Sequence, residues 1–196
     1  MSARRAVRPV GASATEGGMH EWDAPRARRW AAVLAYLAAA SCAGEDGPRS
    51  LGSGAPCAGA ECNYECADSC VAVCRDASQC NARCADDCKS QCRDSADCDM
   101  SCGDRCDALC DGALSCHGSC ERDCRYTCTA VESCRLALGP GSLARCESVD
   151  ECEIRCSGSC RVECVAVEGC YVYCAGGEPP LECGHGVKVC DRPCSS

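Results

Sequence analysis

Cysteine recurs along most of this chain in one strict pattern, C-x3-C-x3-C-x3-C-x5, which returns every 18 residues. The first positions of successive units are Cys62, Cys80, Cys98, Cys116, Cys134, Cys152 and Cys170. Five units carry all four cysteines, as in Cys62-Cys66-Cys70-Cys74. The fifth unit keeps Cys134 and Cys146 but has Leu138 and Ser142 between them. The seventh begins Cys170-Cys174 and then leaves the register, continuing with Cys183, Cys190 and Cys194.

Eighteen residues make about five turns of α-helix, so a helix is the first possibility to test. On a helix the cysteines would share one stripe, and the residue after each first cysteine would point into it. Those residues are Asn63, Asn81, Asp99, His117, Arg135, Glu153 and Tyr171, which are mostly polar. A period of two fits better. Between the first two cysteines the middle residues are Tyr64, Ala82, Met100, Gly118, Leu136, Ile154 and Val172. Between the third and fourth they are Ala72, Ser90, Ala108, Tyr126, Ala144 and Val162. Both columns lean apolar and share a face with the flanking cysteines, so each C-x-φ-x-C (φ, apolar) is read as a short strand with one buried face. The column between the second and third cysteines (Asp68, Asp86, Asp104, Arg122, Pro140, Gly158, Gly176) is mostly turn chemistry. In the fifth unit it lies within Gly139-Pro140-Gly141, which would break a helix. A small or apolar column also runs through the five-residue spacer: Ala77, Ser95, Ala113, Val131, Val149 and Val167.

The expected fold is all-β, a small disulfide-rich repeat. It is a β-solenoid or a related meander of about seven units, each strand, three-residue turn, strand, five-residue turn. The principle resembles the disulfide-laddered solenoids of insect antifreeze proteins. That resemblance covers architecture alone, because the threonine array that binds ice in that family is absent.

Composition says why such a chain needs crosslinks. Of its 196 residues 29 are cysteine, and there is no Phe. After Cys42, Leu, Ile and Val together supply only 18 residues. Burial alone cannot then offset the conformational entropy of folding. Residues 43–196 hold 14 Lys and Arg against 26 Asp and Glu. An acidic surface of this kind excludes a nucleic-acid partner, which needs positive charge to neutralise phosphate.

Whether the thiols are oxidised depends on compartment. Arg26, Arg28 and Arg29 precede an apolar run of small residues, 31–41 (AAVLAYLAAAS). The run is too short to span a bilayer and has the shape of an export signal. Ala39-Ala40-Ser41-Cys42 resembles the lipobox of bacterial lipoproteins. That resemblance implies a lipid on Cys42, a signal over 1–42 and an outer-membrane or cell-surface location; the long lead of residues 1–25 points to Met19 as an alternative start. Cleavage after Ala40 and release as a secreted protein is the alternative. Membrane contact is expected only through that lipid. Residues 43–61, rich in Gly, Ser, Pro and Ala, read as a flexible linker. Residues 62–174 form the repeats, and 175–196 an irregular, disulfide-rich cap.

Two observations narrow the pairing. The fifth unit loses its second and third cysteines together, as partners would be lost. Cysteines four residues apart along one strand lie about 13 Å apart, beyond disulfide reach. Bonds are therefore expected to cross turns: Cys57–Cys62, Cys66–Cys70, Cys74–Cys80, Cys84–Cys88, Cys92–Cys98, Cys102–Cys106 and Cys110–Cys116. The series continues with Cys120–Cys124, Cys128–Cys134, Cys146–Cys152, Cys156–Cys160, Cys164–Cys170, Cys174–Cys183 and Cys190–Cys194. This scheme uses all 28 cysteines after Cys42. A rival scheme, first to fourth cysteine within each unit, leaves Cys57 and Cys194 without partners.

Thiolate binding of a soft metal such as Cu(I) or Zn is the main chemical rival. The C-x3-C spacing resembles that of bacterial copper-storage proteins, whose cysteines lie along helices. The chain has no C-C, C-x-C or C-x2-C, however, and its turns oppose a helix. Asp68, Asp86 and Asp104, with Asp76 and Asp94, could stack into a calcium ladder, or simply serve as turn residues. His117 and His185 accompany no nucleophile motif, and Tyr171 and Tyr173 read as a binding patch or as ordinary strand residues. No catalytic residue, cofactor or metal site is expected. The expected function is a non-catalytic cell-envelope or secreted scaffold with a structural or recognition role toward an unknown protein or envelope partner. Metal sequestration, or action as a secreted effector or inhibitor, are the alternatives.

Overall fold

A computed structural model describes residues 56–194. The expected signal over 1–42, with Cys42, and most of the expected linker lie outside the described residues. Fourteen strands follow in chain order: β1 (Cys57–Cys66), β2 (Val71–Cys84), β3 (Lys89–Arg93), β4 (Asp97–Asp104), β5 (Asp107–Asp111), β6 (Ser115–Arg122) and β7 (Arg125–Thr129). Next come β8 (Ser133–Leu138), β9 (Ser142–Glu147), β10 (Glu151–Cys156), β11 (Cys160–Val165), β12 (Gly169–Tyr173), β13 (Leu181–Gly184) and β14 (Val187–Cys190). A single 3-10 turn, Ala175–Gly177, lies between β12 and β13.

The strands form a β-solenoid with two parallel tiers. One tier stacks β1, β2, β4, β6, β8, β10 and β12, and its register advances by the repeat. Cys62 pairs with Cys80, Cys80 with Cys98, Cys98 with Cys116, Cys116 with Cys134, Cys134 with Cys152, and Cys152 with Cys170. The other tier stacks the first part of β2 with β3, β5, β7, β9 and β11, aligning Cys74, Cys92, Cys110, Cys128, Cys146 and Cys164. β2 runs round a corner and belongs to both tiers, which joins them into one sheet path. The expected linker is corrected at its end. Residues 57–61 belong to β1, held by pairing of Cys57 with Cys74 and Gly59 with Ala77.

The core is thin, because alternate residues of two facing tiers must fill it together. Tyr64, Met100, Ile154 and Val162 are all buried. Size is traded across the gap. At Gly118 an added Cβ would collide with the Tyr126 ring, so the absent side chain makes room for a fully buried tyrosine. Tyr126 donates a long hydrogen bond of 3.5 Å to the His117 carbonyl. Tyr64 likewise reaches over and donates to the Val73 carbonyl at 2.7 Å. The spacer residues Ala77, Ser95, Ala113, Val131 and Val149 also point inward and are buried.

The coils turn at two corners, where one residue takes positive φ except at the shorter turn of the sixth unit. One corner uses Ser69, Asp87, Arg105, Asp123 and Gly141, the other Asp76, Asp94, Gly112, Ala130, Ser148 and Ala166. For non-glycine residues that conformation costs roughly 1–3 kcal/mol. It recurs because it aims an amide at the next coil. Asp87 N donates to Asp104 O at 2.9 Å, and Asp94 N to Asp111 O at 2.9 Å. Asp dominates these corners in the first units because its short polar side chain tolerates the conformation.

Twelve disulfides hold the coils. Cys57–Cys62, Cys74–Cys80, Cys92–Cys98, Cys110–Cys116, Cys128–Cys134, Cys146–Cys152 and Cys164–Cys170 cross the longer turn. Cys66–Cys70, Cys120–Cys124 and Cys156–Cys160 cross the shorter one. The last two are Cys174–Cys190 and Cys183–Cys194. In the fifth unit Leu138 and Ser142 take the place of a staple, and both are buried. The Ser142 hydroxyl accepts a hydrogen bond from Cys124 N at 3.2 Å.

Four expected bonds are corrected. Cys174–Cys183 and Cys190–Cys194 give way to Cys174–Cys190 and Cys183–Cys194 because the chain reverses. Gly184, His185 and Gly186 all have positive φ and turn β13 into β14, which lies antiparallel on β11 with Cys190 beside Cys160. The cap is thus a hairpin, rather than irregular. Cys84–Cys88 and Cys102–Cys106 are not bonded; all four are buried free thiols. Cys88 donates to the Ala67 and Asp86 carbonyls at 3.2 and 3.4 Å, the same two places that the bonded Cys124 sulfur approaches at Gly103 and Arg122. Cys106 does the same with Ala85 and Asp104, at 3.2 and 3.5 Å.

Candidate functional site: a groove over the second-cysteine corner

On the middle coils the outward side chains beside the second-cysteine position are mostly small. Ser101, Gly103, Ser119, Ala137, Gly139 and Ser157 therefore leave an open groove of about 870 Å³ along the stack. Gly103 and Gly139 are needed there. A Cβ on Gly139 would strike the Glu121 carbonyl, and one on Gly103 the Asp86 carboxylate. Beneath it lie the buried, inward-facing residues Cys84, Cys102, Cys120, Leu138 and Cys156. Asp86 and Glu121 add negative charge to the wall, and Arg155 adds positive charge. Arg155 is hydrogen-bonded to Glu153 at 2.9 Å and sits over the exposed Tyr173 ring, 6.0 Å from its centroid. The groove thus offers hydroxyl-bearing positions at Ser101, Ser119 and Ser157, acidic groups at Asp86 and Glu121, and Arg155 with the Tyr173 ring beyond it.

The aspartate column serves the backbone. Asp68 Oδ1 accepts from Asp86 N at 3.2 Å, and Asp86 Oδ1 from Asp104 N at 2.9 Å. Arg122 then closes on Asp104 at 2.6 Å, and Arg105 on Asp87 at 2.8 Å, each one coil further along. The Arg122 guanidinium holds the Asp104 carboxyl below its usual range, and Arg105 does so for Asp87. These carboxylates are committed to hydrogen bonds and ion pairs between coils, where a calcium ladder would need them free.

Sulfur atoms crowd together in several places, as in Cys98, Cys110 and Cys116, or Cys134, Cys146 and Cys152. These two groups are stacked staples, and a disulfide sulfur is not a thiolate ligand; a third group sets the free Cys84 thiol against the Cys66–Cys70 staple. The four free thiols behave differently. Burial pushes the Cys88 thiol up and raises Cys106 to about 11. The adjacent Cys84 thiol, together with burial, pushes Cys102 far above the ordinary thiol range. Ser90, itself buried, lies 3.9 Å from Cys102 Sγ.

His117 projects outward from β6, and His185 occupies the exposed β13–β14 turn; the fold places them on different coils. Tyr171 and Tyr173 are both exposed on β12, the last strand of its tier. Sequence reasoning missed the groove. Its signal was available in the small column Ser101, Ser119 and Ala137 beside Gly103 and Gly139.

Fold and groove together define a disulfide-laddered β-solenoid, a Cys-rich repeat scaffold. Compared with known proteins, no family model matches the chain, and no curated protein or solved structure matches it. The twelve disulfides among the described residues are the chemistry of an oxidising environment.

Proposed function

We propose that this protein is an exported, non-catalytic recognition scaffold that binds an extended protein segment in the groove over the second-cysteine corner. The groove carries this reading. It follows the stack, and the hydroxyls of Ser101, Ser119 and Ser157 can meet a peptide backbone. Arg155 and Tyr173 at one end suit an acidic or aromatic side chain. Stapled coils favour such a role because a rigid surface loses little entropy on binding. The apolar run at 31–41 and the lipobox-like Ala39-Ala40-Ser41-Cys42 support export with a lipid anchor on Cys42, and so a cell-surface location. Metal sequestration is less well supported, since most of the sulfur is committed to disulfides. An effector or inhibitor would use the same groove after release.

Panning a random-peptide display library against the oxidised protein tests the proposal. Peptides should be enriched that lose binding to Ser119→Arg and Ala137→Arg, which fill the groove without touching a staple. Enrichment of no peptide, or of peptides indifferent to both variants, would overturn it.

A further inference from the structure

The cysteines of the shorter turn stack coil on coil. On neighbouring strands Cys66 faces Cys84, Cys84 faces Cys102 and Cys102 faces Cys120. The first and last of these are bonded across their turns, to Cys70 and Cys124, while Cys84, Cys88, Cys102 and Cys106 are thiols. Where the first, bonded coil meets the second, the sulfurs touch. Cys88 Sγ lies 3.5 Å from Cys70 Sγ, and Cys84 Sγ lies within 4.8 Å of both sulfurs of the Cys66–Cys70 staple. The Cys88 contact is the position from which a thiolate attacks a disulfide sulfur. Cys70 also differs from its counterparts in exposure. Cys88, Cys106, Cys124 and Cys160 are buried, whereas Cys70 is only partly so. A preceding coil covers each of the others, as the Ala67 carbonyl does Cys88. Cys70 belongs to the first coil and has none before it among the described residues.

We infer that the first two coils form an internal thiol–disulfide exchange site, whose substrate is the chain's own Cys66–Cys70 bond, with Cys88 as nucleophile and Cys84 as resolving thiol. Cys88 gives up its proton and its thiolate attacks Cys70 Sγ. The Cys66–Cys70 bond breaks, a Cys70–Cys88 bond forms between coils, and Cys66 leaves as a thiolate that takes up a proton. Cys84, deprotonated in turn, attacks Cys88 Sγ. The Cys84–Cys88 bond forms, and Cys70 departs and is protonated. Two protons pass from the second coil to the first, and no electron enters or leaves, so the step needs no outside oxidant. Cys102 lies beside Cys84, so the third coil takes the bond next, with Cys102 attacking Cys84 and Cys106 resolving. The result is a buried staple and, in the first coil, a dithiol whose Cys70 reaches solvent. Burial raises the Cys88 thiol, which makes the exchange slow at neutral pH and faster in alkali. The inference stands whether or not the groove binds a peptide.

The experiment uses the folded, never-reduced protein, held without air or added thiol in neutral or in mildly alkaline buffer. Samples are quenched in acid, digested in acid and mapped. In alkali the Cys66–Cys70 bond should be lost, matched one for one by a bond at Cys84–Cys88 or Cys102–Cys106. The number of disulfides should stay constant, and Cys156–Cys160, far along the stack, should stay closed. Cys84→Ser should accumulate the inter-coil Cys70–Cys88 bond, and Cys88→Ser should keep Cys66–Cys70 in place. A Cys66–Cys70 bond that stays put in alkali would overturn the inference. So would a wild-type protein with Cys66–Cys70 and Cys84–Cys88 both bonded from the outset, or exchange that opens Cys156–Cys160 as readily as Cys66–Cys70. These readouts come from the wild type and do not depend on how well either variant folds.

Discussion

Cys174 and Cys190 are bonded although 16 residues separate them, and they make the same staple that Cys156 and Cys160 make one coil earlier. Cys190 arrives on an antiparallel strand and pairs in register with Cys160. It therefore occupies the place of a third cysteine in a seventh coil. The hairpin finishes one tier with a strand running the other way, which closes that edge of the solenoid and keeps its disulfide ladder continuous.

Cys190→Ala should accordingly uncap the stack. The bond closes a loop of a size for which such links are worth about 2–4 kcal/mol. Thermal unfolding should show a loss of that order, with Cys174 as the new free thiol and Cys183–Cys194 intact. Unchanged stability would mean that the hairpin docks without its staple.

Gly118→Ala should be destabilising out of proportion to one methyl group. The new Cβ meets the Tyr126 ring in a core with no spare width, and overpacking of this kind costs roughly 1–3 kcal/mol. Tyr126→Leu should relieve much of it, so a double-mutant cycle between the two positions should give a clear coupling energy. Additive effects would contradict a direct contact across the tiers.

The missing staple of the fifth unit should be restorable. In Leu138→Cys/Ser142→Cys the two new residues stand where Cys120 and Cys124 are bonded one coil earlier, and the protein should lose two hydrogens in mass without added oxidant catalyst. The gain in stability should fall short of the usual ~2–4 kcal/mol for a small loop, because the Ser142 hydroxyl bond to Cys124 N is lost.

Stability should also depend on pH through the thiol coils. Burial raises Cys106 to about 11, beside Cys88, Cys102 and Asp86. Below the ordinary thiol pKa, near 9, folded and unfolded chains both hold the proton, and the contribution is complete. Between about 9 and about 11 only the folded chain holds it, so stability falls as pH rises through that window. Urea unfolding at pH 8 and at pH 11 should show the drop in the dithiol form. Once both pairs are oxidised to disulfides the drop should vanish, because a disulfide does not titrate.

The coils were legible because one number, 18, governs both sequence and register. Cys62 faces Cys80 for the same reason that Tyr64 and Ala82 share the inner face: each strand has a period of two and each coil a fixed length. The cap escaped because spacing says nothing about chain direction. From Cys183-Gly184-His185-Gly186 alone, the nearest cysteine across a turn is the natural partner, and only the reversal at the glycines sends Cys190 to Cys174. The start of β1 escaped because 57–61 looks like the linker before it; its order comes from pairing with β2 rather than from its own residues. The groove escaped because it is made by what small side chains leave empty. The free thiols of two coils had no signal at all, since those coils have the same cysteine spacing as their bonded neighbours.

The account rests on staples that cross turns between stacked strands, and disulfide mapping of the native, unreduced protein tests that most directly. Digestion without reduction should yield peptides linked through Cys74–Cys80, Cys92–Cys98 and Cys174–Cys190. A peptide linking Cys62 to Cys74, or Cys190 to Cys194, would contradict it.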